Sequence, residues 1–279
     1  MENKVWKSEA TKPVMDGGLQ YHIRCGNGDI ERYCLLPGDP ERVDLIASMW
    51  DESRFVANYR EHRTFSGKIG DVGISCCSTG AGSGSASSAI EEVAALGADT
   101  LIRVGSCGAI QDYIDCGDVI IHTGGVRHDG TSNLYVDVAY PAVGDYMVTA
   151  ALVEAAEQLG FPYHVGVTCS TGSWYCGQGR PGFKGYTQSF FENKVEDLAK
   201  AGVLNFEMET SALFTLCGIY GLRGGSVCTA FANRKKDKFA YGGIERSVQV
   251  ANLAVKILAI WDKKMKEKGK KYWYPSIME

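Results

Sequence analysis

No apolar stretch in this chain approaches the roughly 20 residues that a helix needs to span a bilayer, and the opening MENKVWKSEA lacks the apolar centre of a signal peptide. The expectation is a cytosolic protein without a membrane partner. Basic charge is not in excess either: 29 Lys and Arg stand against 33 Asp and Glu, a formal net charge of -4. Affinity for a phosphate backbone would lack its main driving term, so no nucleic-acid partner is expected and a small-molecule ligand is. No CxxC pair and no Cys/His cluster has zinc spacing, and the five histidines are scattered, which speaks against a structural metal. The glycine-rich STGAGSGSAS falls one residue short of a dinucleotide fingerprint. Its glycines are Gly80, Gly82 and Gly84, with Ser85 in the third required position, and it follows the second predicted strand rather than the first. A nicotinamide cofactor is therefore not expected. With no internal repeat and no Pro/Gly/Ser-rich linker, one large α/β domain suits the 279 residues.

Cysteine is present ten times, but Cys76, Cys77, Cys107, Cys169, Cys217 and Cys228 lie inside apolar runs, where thiols behave as small hydrophobes. Short β-rich runs alternate with longer helical patterns. RYCLLPG, VGISCCSTG, TLIRVGSCG, DVIIHTGG, YHVGVTCS and GGSVCTAFANR read as strands. GSASSAIEEVAALG, GDYMVTAALVEAAEQLG, METSALFTLCGIYG and IERSVQVANLAVKILAIWDKKMKEK read as helices. That alternation predicts a mostly parallel sheet flanked by helices, with ligands bound beyond the carboxyl ends of the strands. The end, KKMKEKGKKYWYPSIME, reads as a charged helix end and an aromatic tail.

Three strand ends carry chemistry. In LLPGDPERV a strand breaks at Pro37-Gly38-Asp39-Pro40 and delivers Arg42, a planar fork of donors suited to an oxyanion, although GDP is also an ordinary turn. In LIRVGSCGAI, Arg103 stands inside an apolar run near Ser106. A buried cation needs a partner, and that partner is either a bound anion or an acidic neighbour. STGAGSGSAS leads from strand to helix, a context for phosphate at a helix N-terminus. Finally, NFEMETSALF sets Glu207 and Glu209 at a strand-to-helix junction. Helix capping explains one acid well and the pair less well, whereas two acids near two arginines suit a ligand with hydroxyls and a phosphate.

These blocks, with ANYREHRTF, VRHDGTS, YPAVGDY and HVGVTCSTGSWYCGQGR, stand in the order found in the purine/uridine phosphorylase family of nucleoside phosphorylases. The chain resembles that family over roughly residues 19 to 260, most closely its uridine-cleaving branch. The resemblance implies a single-domain, three-layer α/β/α fold with a central mixed, twisted β-sheet flanked by helices. It divides the chain into an N-terminal extension (1–18), a phosphorylase domain (19–263) and a C-terminal tail (264–279). It implies reversible phosphorolysis of a pyrimidine nucleoside to free base and ribose 1-phosphate, with inorganic phosphate as co-substrate and no required cofactor. Phosphate would meet Gly38, Arg42, Arg103 and Ser106, and Arg60 would arrive from a neighbouring subunit of a homo-oligomer built from dimers. Ribose would meet Glu207, Met208 and Glu209, with His22 crossing from the partner towards the 5'-hydroxyl. Gln178 and Arg180 would read uracil above Trp174. Glu61, Ala81 and Ser85 match positions that hold a monovalent cation, such as K+, in some members. Arg103, Glu209, Gln178 and Arg180 are the candidate catalytic residues.

The reaction makes these residue types sensible. Breaking an N-glycosidic bond builds positive charge on the sugar and negative charge on the base, so the site needs an anionic nucleophile on one face and donors around the base. The chain departs from the family pattern at Gly84, commonly proline, Ser106, often threonine, and Trp174, usually phenylalanine. Asn233 stands near the place where purine-cleaving relatives carry an aspartate, which favours uridine over the alternative of a purine or broad-specificity phosphorylase. A nucleoside-binding protein without activity would not need the arginine set.

Overall fold

A computed structural model describes residues 8–279, so residues 1–7 of the expected N-terminal extension lie outside the described residues. Eleven strands form one sheet among the described residues. They are β1 (Tyr33–Pro37), β2 (Glu52–Tyr59), β3 (His62–Ile69), β4 (Val72–Cys77), β5 (Thr100–Ala109), β6 (Val119–His128), β7 (Ala142–Val143), β8 (Tyr163–Thr171), β9 (Asn205–Glu207), β10 (Arg223–Asn233) and β11 (Lys238–Phe239). Helices are α1 (Pro40–Ala47), α2 (Ser83–Ala95), α3 (Tyr146–Leu159), α4 (Lys194–Lys200), α5 (Thr210–Tyr220) and α6 (Ile244–Glu267).

The sheet is mixed. β1 runs parallel to β4 and β5, β10 to β5, and β6 and β9 to β8. Antiparallel pairs join β2 to β3, β3 to β4, β5 to β9 and β6 to β10. The mostly parallel sheet expected from alternation is corrected by the β2–β3 hairpin and the antiparallel β6 and β9. Because β10 pairs with both β5 and β6, the strands β5, β10, β6, β8 and β9 close into a ring. Closure sets the later residues of β5 and β10 against β9 and the loop that follows β8, although β8 and β9 run the opposite way to β5 and β10.

Two apolar layers clothe the sheet. Val43 and Ile46 of α1, Val148 and Leu152 of α3 and Val255 and Leu258 of α6 pack on one face. Ala86, Ile90 and Val93 of α2 and Leu213 and Phe214 of α5 pack on the other. All ten cysteines are free thiols, eight of them buried, which matches their reading as small hydrophobes. The aromatic tail is ordered against the helices: Trp273 stacks on Trp261 at 4.2 Å and Ile277 is fully buried. No helix is long and apolar enough to cross a membrane among the described residues.

Candidate active site

A cavity of about 650 Å³ opens at the strand ends. Its wall includes Gly38, Arg42, Glu61, Ala81, Arg103, Ser106, Trp174, Gln178, Arg180, Glu207, Met208 and Glu209, so one space gathers most of the residues singled out in the sequence. Most stand late in a strand or just beyond one: Gly38 after β1, Ser106 late in β5, the Trp174–Arg180 loop after β8, and Met208–Glu209 after β9, while Arg103 lies within β5.

The floor is built on Arg103, buried in β5. Its Nε lies 2.9 Å from Glu207 and its Nη2 2.6 Å from Glu209, so the acidic neighbour foreseen as one alternative is present. Burial alone would lower the Arg103 pKa, but the two carboxylates hold it above its ordinary value. The glutamates divide the work. Glu207, with no side-chain exposure, accepts from the backbone N–H groups of Glu209 and Thr210 at 2.8 Å each, and from the Ser170 hydroxyl. It thereby satisfies the start of α5, the stabilising place for an anion. Burial pushes its carboxyl up, but the Arg103 charge and these donors outweigh that and keep it below the usual range. Glu209 instead accepts from the Gly82 N–H at the head of α2, at 2.5 Å. Burial and the Glu207 charge hold its carboxyl above the usual range despite Arg103. The capping reading thus fits Glu207, and Glu209 is left facing the cavity.

Arg42 follows from the chain break at the start of α1. Asp39 accepts from the Glu41 N–H at 2.9 Å as N-cap, Pro40 occupies the first turn, and Arg42 donates to the Val104 carbonyl at 3.0 Å. Burial and the nearby Arg103 depress it. Behind the floor, His122 is fully buried between Ser226 (2.8 Å) and Asn205 (3.0 Å), and burial pushes it down to about 4, so it is neutral.

The opposite wall is the loop after β8. Arg180 donates to the Gln178 side-chain oxygen at 2.5 Å and the Trp174 carbonyl at 2.8 Å, and its guanidinium lies 3.7 Å from the Trp174 ring centroid. Burial and the neighbouring Arg234 lower Arg180 to about 10. Arg234 in turn donates to the Gln178 carbonyl at 2.8 Å. The Gln178 amide nitrogen has no hydrogen bond among the described residues and stays available in the wall. Asn233 is turned away: its Nδ2 donates to Gln111 and Ile114 carbonyls at 2.9 and 2.7 Å, and its Oδ1 accepts from Lys235 and Lys236.

Sequence reasoning missed the aromatic rim of Phe206, Phe231, Phe239 and Tyr241, and the bracing Arg234. Alternation at Phe239 and Tyr241 was the available signal, obscured by the charged turn NRKKDK. Three expected residues, His22, Arg60 and Ser85, are not in the cavity wall. His22 pairs with Glu92 at 2.7 Å, and Arg60 is exposed at the tip between β2 and β3. Glu61 and Ser85 hydrogen-bond to each other at 2.6 Å beside Ala81.

The sequence profile of the Phosphorylase superfamily matches residues 32–260. Uridine phosphorylase of Thermococcus kodakarensis is 56% identical over 268 residues, covering 96% of this chain and 97% of its own. Uridine phosphorylase of Klebsiella aerogenes is 39% identical, covering 85% of this chain and 94% of its own. Guanosine phosphorylase of Halorubrum lacusprofundi is 36% identical, covering 77% and 83%. The match runs through every strand end that builds the cavity, and the chain belongs to the Phosphorylase superfamily.

Proposed function

We propose that the protein is a uridine phosphorylase, converting uridine and inorganic phosphate reversibly into uracil and ribose 1-phosphate, with no required cofactor. The observation that carries this reading is one cavity with Arg42 and Arg103 at its floor and the Gln178–Arg180 pair in its wall. Phosphate is held by Gly38, Arg42, Arg103 and Ser106 and attacks the anomeric carbon from the face opposite the base. Glu209 and Met208 hold the ribose, and Glu209 complements the positive charge that develops on the sugar. Glu207 acts mainly by fixing Arg103 and the start of α5. Arg180 faces the negative charge that builds on departing uracil, and the Gln178 amide offers the donor and acceptor that its polar edge needs. Trp174 holds Arg180 flat in the base subsite.

His22 and Arg60 complete the site of a neighbouring subunit, which makes a homodimer, or a larger assembly of dimers, the active unit. Ser85 donates to one of the two Glu61 carboxylate oxygens, and together they offer too few oxygens to enclose a cation. A monovalent cation held with the Ala81 carbonyl would therefore need matching oxygens from a second copy. The proposed catalytic domain spans residues 19–263, after an extension (1–18) and before a docked tail (264–279). A cytoplasmic role in pyrimidine salvage fits this chemistry. Purine cleavage is disfavoured because the Asn233 amide is consumed by backbone partners and offers no proton to a purine ring.

A nucleoside panel assayed for free base with and without phosphate tests the reading. Uridine should be cleaved only with phosphate and should outrun inosine and adenosine widely. Uracil released equally in phosphate-free buffer, or inosine cleaved as fast as uridine, would refute it.

A further inference from the structure

The turn that carries His22 also carries Arg24, and Arg24 shares its surroundings with Arg60. The Arg24 guanidinium lies 4.1 Å from the Tyr59 ring centroid and 5.9 Å from that of Tyr21. That of Arg60 lies 5.3 and 5.5 Å from the same two rings. Two like charges are thus held on one pair of aromatic faces, and neither makes an ion pair among the described residues. Both arginines have left-handed backbones, with φ of 57° and 54°. That conformation is uncommon for residues other than glycine, and such strain clusters at ligand clamps. The buried Nε of Arg24 has no hydrogen-bond partner among the described residues. The two nearby guanidiniums draw the Tyr59 phenol below its ordinary pKa, and Arg60 Nη2 donates to the Tyr21 hydroxyl at 3.5 Å. The cluster lacks an anion.

Charge in the cavity says which anion. At the floor Arg42 and Arg103 are balanced by Glu207 and Glu209, so one chain offers almost no net attraction to doubly charged phosphate. Arg60 from a neighbour supplies half of the missing charge. We propose that Arg24 is delivered together with Arg60 into the neighbouring subunit's phosphate subsite and supplies the rest, as a phosphate-binding residue of the shared site. This rests on the reading of a phosphorylase with subunit-crossing residues given above. The two tyrosine rings hold both guanidiniums close together, so little side-chain freedom is lost when phosphate arrives.

The test compares wild type with Arg24→Gln, which keeps length and hydrogen bonding but loses charge, and Arg24→Lys, which restores it. Arg24→Gln should raise the KM for phosphate by about 10-fold while leaving the KM for uridine and the kcat at saturating phosphate within about twofold, and Arg24→Lys should recover most of the loss. Delivery across subunits is checked on purified mixed dimers of one Arg24→Gln chain and one differently tagged Glu209→Ala chain, free of either homodimer. The one competent site then receives Arg24 from the Glu209→Ala chain, and its KM for phosphate should return to the wild-type value. An unchanged KM in Arg24→Gln would show that Arg24 only packs on tyrosine, and a raised KM in the mixture would place its action within its own chain. Either result overturns the proposal. Phosphate titration calorimetry on wild type and Arg24→Gln needs no turnover, so it reads the same weakening even if uridine proves not to be the substrate.

Discussion

Replacing Arg103 by alanine should cost folding as well as catalysis, because its partners are in the protein. The guanidinium stands 2.9 Å from Glu207 and 2.6 Å from Glu209, whose side chains are 0% and 7% exposed. Removing one member of a buried ion pair typically costs about 3–5 kcal/mol, since the remaining charge is uncompensated. The low end applies here. Glu207 keeps its bonds from Ser170, Glu209 and Thr210, and Glu209, already held above the usual carboxyl range, can take up a proton. A carboxyl raised in the folded state weakens stability above its unfolded pKa and stops doing so once it is protonated. The deficit in Arg103→Ala should therefore be about 3 kcal/mol near pH 8 and shrink towards pH 5. At about 2–4 °C per kcal/mol this lowers the thermal midpoint by about 6–12 °C. Differential scanning calorimetry at both pH values, with Arg103→Lys beside it, measures the effect. Lysine should recover most of the stability but bind phosphate poorly, because a point charge cannot bridge two carboxylates and an anion. A midpoint within about 2 °C of wild type at both pH values, with phosphate use abolished, would refute the claim that Arg103 holds the two acids.

Changing Gln178 to Ala should lower uridine turnover by about two orders of magnitude and leave the KM for phosphate nearly intact, since buried polar readout discriminates far more than packing does. An unchanged substrate ranking would reduce the loop to scaffolding. His122, pushed down from 6.5 to about 4 by burial, binds its proton more weakly folded than unfolded. Stability should fall by up to about 3 kcal/mol as pH drops through that window, and His122→Gln should flatten that part of the acid-unfolding curve. Equal slopes for the two proteins would count against it.

All six strands and four helices expected from periodicity are present within a few residues. What periodicity could not show is instructive. α1 is eight residues opened by Asp39-Pro40, and its capping signal doubles as a turn signal. The β2–β3 hairpin carries exposed polar residues on β2 and lacks the apolar alternation of a half-buried strand. β9 is three residues long, too short to have a period, yet it presents Glu207. Within the cavity, charged residues next to glycine were legible because a cation or a paired acid in an apolar run demands a partner. The aromatic rim was not, since the alternation at Phe239 and Tyr241 is brief and follows directly on the charged turn NRKKDK.

The contact between Arg103 and Glu209 has a thermodynamic consequence for the order of events at the site. The Arg103 guanidinium, the proposed phosphate ligand, is engaged by Glu209, the proposed ribose ligand. On the proposed reading, a nucleoside drawing Glu209 towards its hydroxyls frees part of the Arg103 charge for phosphate, and phosphate binding on Arg103 releases Glu209 for the sugar. Binding free energies are state functions, so each substrate must raise the affinity for the other by one common factor. The buried ion pair is then a latch opened from either side, and a cavity holding only one of the two reactants stays short of its full grip.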